Sequence, residues 1–293
     1  HEWAGQVVKV GQGVKDFKPG DRVAGEAHVG CGKCDNCKRG HYTVCLNYGK
    51  DGKDGGLDMG HRHYGFYWQG ANAEDHVYKS SALHRIPDGV SYDVASMCDC
   101  AGVAFHGVEL AGVTPGGTSV VFGPGAIGLC AMMECKALGS GRVIMIGRGA
   151  KLEKARELGA DICIDFEKED PVKRVLELTG GVGADEVMEC SGASDSPLKA
   201  CQMVKKTGAV AIIATYHNDT VPIPANIVNF NEIKLVGSKA NPNVSDQVLH
   251  FFATGAIQGE KLITHTFPLE EYEKAVDIFE HKKEGSIKVV INP

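Results

Sequence analysis

Thirty-one Lys and Arg against thirty-seven Asp and Glu leave this 293-residue chain with a net charge of −6. It is 43% hydrophobic and 23% charged, with 38 Gly and 11 Pro, which excludes disorder, collagen and coiled coil and suits about two cored domains. The mild acidity argues against nucleic acid as a partner. The charge-free stretch over residues 112–133 is broken by Pro115, Gly116, Gly117, Gly123, Pro124, Gly125 and Gly128 and is no membrane span.

The chain opens at His1, without Met and inside what reads as an element. This predicts a chain that lacks its native N-terminus, and no secretory signal is read at its start. Residues 1–98 are rich in Gly and turn signals, with short strands expected at Gln6–Val10 and Arg22–Ala24, a pattern suited to an irregular β-barrel. His61, His63, His76 and His84 lie in its loops and are read as surface residues.

Cys31, Cys34, Cys37 and Cys45 form C-x2-C-x2-C-x7-C. Two-residue gaps let neighbouring thiolates turn onto one ion, with Gly32 and Gly40 as bends. Four sulfur ligands satisfy a tetrahedral zinc and leave no open position, so the site is structural; an iron–sulfur cluster is the rival reading. The chain has 11 Cys in all, an odd number spread too widely for a disulfide framework, which points to reduced thiols and a cytoplasmic protein. Cys130, Cys135, Cys163 and Cys201 read as small core residues.

Thr118–Phe122 is a β-type run. It leads into Gly123-Pro-Gly125-Ala-Ile127-Gly128 and then a helical pattern, Leu129–Leu138. This is G-x-G-x-x-G in its strand–turn–helix context, the fingerprint of a dinucleotide site. The first glycine permits the turn, the second admits a pyrophosphate, and the third packs helix on strand. The helix N-terminus offers free N–H groups to the phosphates.

The next strand, Arg142–Ile146, ends in Gly147-Arg148 where an NAD site usually carries an acidic residue. No carboxylate repels a 2′-phosphate there and an arginine is placed to pair with one, which favours NADP and leaves NAD as the alternative. Helices are expected at Lys151–Leu158, Asp170–Leu178 and Pro197–Val204. Strands are expected at Asp161–Asp165, Gly183–Cys190, Ala209–Ile213 and Lys234–Gly237. Such alternation predicts an α/β domain with a doubly wound parallel sheet over residues 99–239. Residues 240–293 carry a helix, Leu269–His281, and a strand, Ser286–Ile291, that returns to the first domain. The sheet domain is then an insertion.

His1-Glu2, Gly5, Val7, Val10-Gly11, Pro19-Gly20-Asp21-Arg22-Val23, the cysteine lobe, the glycine turn and Thr179-Gly-Gly-x-Gly183-Ala-Asp-x-Val-x-Glu-Cys-Ser-Gly192 follow one another in order. Over essentially the whole chain this resembles the zinc-dependent medium-chain alcohol and polyol dehydrogenases, whose fold is a Rossmann domain inserted in a GroES-like barrel. The resemblance implies His1 as a catalytic-zinc ligand, Glu2 beside the metal, and an upstream cysteine. It implies a third ligand at Asp99, with Cys98 as the alternative. It further implies that Cys190, Ser191 and Gly192 line the cofactor cleft, that Thr215, Gly237 and Ser238 lie near the nicotinamide, and that Lys288 reaches the pyrophosphate. His106, on an apolar helix, is read as packing or bonding backbone.

In such an enzyme the zinc polarises a substrate hydroxyl and hydride passes to the nicotinamide. The substrate implied is a secondary alcohol or polyol and the assembly a homodimer or homotetramer. Two alternatives stand beside this reading. One is a zinc-independent quinone or enone reductase of the same superfamily; the other is a non-enzymatic zinc-lobe binding protein.

Overall fold

A computed structural model of the chain describes residues 1–47, 62–66, 68–218 and 220–293. They form two compact units, one of residues 1–102 with 239–293 and one of residues 103–238.

The second unit is built on a six-stranded parallel sheet. Its strands are β1 (Thr118–Phe122), β2 (Arg142–Gly147), β3 (Ile162–Asp165), β4 (Ala184–Glu189), β5 (Val204–Ile212) and β6 (Lys234–Gly237). Their order is β6-β5-β4-β1-β2-β3, so the chain reverses direction across the sheet between β1 and β4. Parallel strands need crossovers, and helices Ala126–Ala137, Gly149–Glu157, Pro171–Leu178 and Ser196–Met203 supply them.

Local chemistry starts and stops these elements. Asp170 caps its helix by accepting the Val172 N–H at 2.8 Å, with Pro171 in the first turn, where its missing N–H costs nothing. Val120, Val187, Val210, Ile144 and Ile164 are fully buried within one apolar cluster. Each such side chain contributes about 1.5–3 kcal/mol relative to exposure.

Two starts in this unit move by three residues or more. The helix expected from Leu129 begins at Ala126, immediately after the turn. The strand expected from Ala209 begins at Val204, because Val204 pairs with Ala184 before a bulge breaks the register.

In the first unit Ala4–Gln6 pairs antiparallel with Arg22–Gly25, which pairs with Leu83–Arg85. The strand expected over Gln6–Val10 stops at Gln6. Val7 closes the pairing through bonds to Asp21 and Gly20, and Val8 is left 72% exposed. Ile263–Pro268 and Lys288–Asn292 form a parallel pair on which helix Tyr272–Glu280 packs Ala275 and Ile278.

Candidate metal and cofactor sites

Cys31, Cys34, Cys37 and Cys45 converge, their sulfurs all within 4.8 Å of one another. Cys31–Cys37 and Cys34–Cys45 are each 3.9 Å apart, close to the ~3.8 Å edge of a tetrahedron with zinc–sulfur bonds of about 2.3 Å. Backbone N–H groups aim at the sulfurs. Lys33 and Cys34 donate to Cys31 at 3.4 Å, Cys37 donates to Cys34 at 3.5 Å, and Asn47 donates to Cys45 at 3.4 Å. For Cys31 burial works upward but these bonds prevail, and its pKa falls to about 6. Burial pushes Cys37 up to about 12. Gly30 is required by space, since a Cβ there would sit 2.6 Å from the Cys37 sulfur.

A second cluster joins His1, Glu2 and Asp99, whose ligand atoms also lie within 4.8 Å of one another. Asp99 lies in the first turn of helix Cys98–Ala111, with Oδ2 3.5 Å from His1 Nε2. Burial, then the charge of Glu2, push its carboxyl up to about 7, against a hydrogen bond from the Ala27 N–H. A buried carboxyl held off its ordinary value between His and Glu suits a divalent cation, which would stabilise its ionised form. Cys98 stands outside the cluster, its thiol donating to the Ser245 carbonyl at 3.6 Å. The His1 ring packs on Phe66 at 4.5 Å between centroids.

Lys288 is 8% exposed, and its ammonium donates to the Glu2 carboxylate. Burial disfavours the ammonium, but Cys100 and Glu2 hold its pKa above the ordinary lysine value. The group expected to reach a pyrophosphate is therefore paired with Glu2 in this structure.

In the second unit the three glycines differ in what constrains them. Gly123 has φ +92°, and a Cβ there would meet Ser191 Cα at 2.8 Å. Gly125, before helix Ala126–Ala137, faces open space, whereas a Cβ on Gly128 would fall onto the Gly123 carbonyl oxygen. Ile127 lies in the first turn of that helix. A Cβ on Gly147 would strike Pro124. Arg148 precedes helix Gly149–Glu157, pairs with Glu167, and holds its guanidinium over the Phe166 ring at 5.6 Å.

Cys190 continues the chain from β4 and donates its N–H to Phe122 at 3.0 Å, tying the ends of β1 and β4. Gly192 has φ +69° and lies against the Thr215 carbonyl, which a Cβ would approach to 2.7 Å. Gly237 ends β6, and the Ser238 N–H donates to Ile212 at 2.9 Å.

The histidines read as surface residues divide. His63 stacks on His28 and Phe66, at 4.0 and 3.9 Å, and His76 packs edge-on to Trp3. His84 is partly buried between Glu26 and Asp246. His61 lies outside the described residues.

Two residues were given no role from the sequence. Glu26, 3% exposed, accepts hydrogen bonds from the hydroxyls of Tyr42 and Ser245. Glu189, fully buried, accepts four hydrogen bonds at the end of β4. The available signal was a carboxylate at the end of a short apolar run, after Val23-Ala-Gly25 for Glu26 and after Val187-Met188 for Glu189.

Comparison with known proteins agrees with this geometry. Residues 1–88 match the alcohol dehydrogenase GroES-like domain family, and residues 126–254 match the zinc-binding dehydrogenase family. The sorbitol dehydrogenase of Halalkalibacterium halodurans is 31% identical over 298 aligned residues, covering 100% of this chain and 82% of that protein. Among solved structures, alcohol dehydrogenase TADH from Thermus sp. ATN1 aligns with TM-score 0.89 at 31% identity, covering 100% of this chain and 83% of that one. A zinc-binding dehydrogenase from Sinorhizobium meliloti 1021 bound to NADP aligns with TM-score 0.88 at 28% identity, covering 100% and 82%.

Proposed function

The chain belongs to the zinc-dependent medium-chain alcohol and polyol dehydrogenase family, and we propose that it oxidises a secondary alcohol or polyol with NADP, reversibly. The observation that carries this reading is the convergence of His1, Glu2 and Asp99 in one cluster, separate from the four cysteines.

His1 and Asp99 hold the catalytic zinc, with Glu2 beside it. Cys31, Cys34, Cys37 and Cys45 hold a structural zinc. A bound catalytic zinc would supply Lewis acidity to the substrate hydroxyl. Lys288 pairs with Glu2 and offsets its charge beside Asp99. Gly123, Gly125, Ile127 and Gly128 shape the pyrophosphate turn, and Gly147 leaves room for Pro124 of that turn. Arg148 takes the 2′-phosphate by exchanging its partner Glu167 for it. Cys190 to Gly192, Thr215, Gly237 and Ser238 bound the nicotinamide end through their backbone. A carboxylate in place of a thiolate third ligand tilts the substrate toward secondary alcohols and polyols, and the sorbitol dehydrogenase relative supports that choice. The functional assembly is a homodimer or homotetramer.

The test is turnover of a panel of secondary alcohols and polyols with NADP⁺ and with NAD⁺, alongside zinc content. Asp99→Asn should lose one zinc equivalent and the activity together while retaining the other zinc. Full turnover by Asp99→Asn, or by protein stripped of that zinc, would sink the assignment.

A further inference from the structure

Glu189 closes β4 at the point where the strand order reverses, and the crevice outside the carboxyl ends of strands at such a point is where open α/β sheets bind ligands. Its side chain is fully buried. Oε1 accepts the Ser191 N–H at 2.8 Å, the Ser191 hydroxyl at 2.5 Å and the Gly192 N–H at 3.2 Å, while Oε2 accepts the Tyr216 hydroxyl at 2.5 Å.

Each partner belongs to a loop that borders the glycine turn. Ser191 is the residue that a Cβ on Gly123 would strike, and the Thr215 carbonyl, next to Tyr216, abuts Gly192. One carboxylate thus ties the loop after β4 to the loop after β5. The Ser191 hydroxyl is committed as well. It donates to Glu189 and accepts the Ala193 N–H at 3.2 Å, so what this loop offers a ligand is backbone.

We propose that Glu189 is a positioning residue for the dinucleotide: it touches no part of the cofactor but fixes the Cys190–Gly192 and Thr215–Tyr216 backbone in the register that admits it. The proposal rests on the dinucleotide reading above. A buried acceptor serving four donors leaves them unsatisfied when it is removed, so the loops lose their shared anchor.

The experiment is fluorescence titration of Glu189→Ala, Glu189→Gln and Tyr216→Phe with NADPH and NADH, well below each variant's unfolding midpoint, together with steady-state KM and kcat. Glu189→Ala should weaken cofactor binding by about tenfold or more, the equivalent of about 1.4 kcal/mol. Its cofactor KM should rise with it.

Glu189→Gln keeps an oxygen for Ser191 and Gly192 and lets the Tyr216 hydroxyl accept, so it should restore binding to within about threefold. Tyr216→Phe, which loses one bond, should fall between the two. It also carries the test if Glu189→Ala fails to fold. A lowered midpoint with unchanged Kd in all three variants would make Glu189 a mere stabilising residue and overturn the proposal. Failure of the parent protein to bind either cofactor would overturn the dinucleotide reading itself and this proposal with it.

Discussion

His84 Nε2 lies 2.9 Å from Glu26 Oε1, and its Nδ1 lies 2.8 Å from Asp246 Oδ1. An imidazole between two carboxylates is a proton trap inside a folded unit. Burial pulls the His84 pKa down, but the bonds and charges of Glu26 and then Asp246 prevail and raise it above its ordinary 6.5. A folded-state pKa above the unfolded one stabilises the protein fully below 6.5 and loses that contribution as pH rises through the folded value. Urea unfolding of the parent and His84→Ala should differ by about 1–3 kcal/mol near pH 6 and by less near pH 9. A difference that stays constant across that range would show that folding does not raise the His84 pKa.

The cysteine lobe makes an independent prediction. Cys37→Ser should remove one zinc equivalent by elemental analysis, because three sulfurs and a hydroxyl no longer close the shell. The Tyr42 hydroxyl joins this lobe to Glu26 and accepts the Asn243 N–H at 2.9 Å. Loss of the metal should therefore reach beyond the lobe and lower the thermal midpoint of its whole unit by several degrees. Unchanged zinc content in Cys37→Ser would mean that the four sulfurs do not act as one centre.

Arg148 and Glu167 predict opposite effects on one measurement. The pair is exposed, so it contributes at most about 1 kcal/mol, and Glu167 competes with a 2′-phosphate for the same guanidinium. Arg148→Ala should weaken NADPH about tenfold and leave NADH nearly unchanged. Glu167→Gln should tighten NADPH by up to about fivefold. Tighter binding of NADH than NADPH by the parent would make Arg148 a surface residue and shift the assignment to NAD.

What could be read from the sequence follows the distance over which each feature is encoded. The cysteine lobe and the glycine turn are local, and their spacing carries their geometry. The choice between Cys98 and Asp99 is not local: adjacent helix positions point about 100° apart, and nothing nearby says which faces His1. The structure turns Asp99 to His1 while Cys98 donates to Ser245, 147 residues away. Lys288 and Glu2 stand 286 residues apart, and Glu26 and Ser245 219. Contacts of that separation depend on the completed fold and leave no mark on spacing or periodicity. Glu26 and Glu189 each leave a local trace, a carboxylate closing a short apolar run, but not the partners that it binds.

Gly125 and Gly128 separate a folding requirement from a binding one within a single turn. Gly125 has φ −80°, a conformation open to any residue, and a Cβ there meets nothing within 4 Å. Gly128 is fixed by the protein itself, since a Cβ there would fall onto the Gly123 carbonyl. Gly128→Ala should cost on the order of 1–3 kcal/mol of stability. Gly125→Ala should keep the thermal midpoint and lose cofactor affinity, because the space it fills is where a pyrophosphate would approach the helix N-terminus. Differential scanning calorimetry and NADPH titration of both variants check the contrast. Parent-like affinity in a fully folded Gly125→Ala would mean that the turn's open face is not the phosphate site.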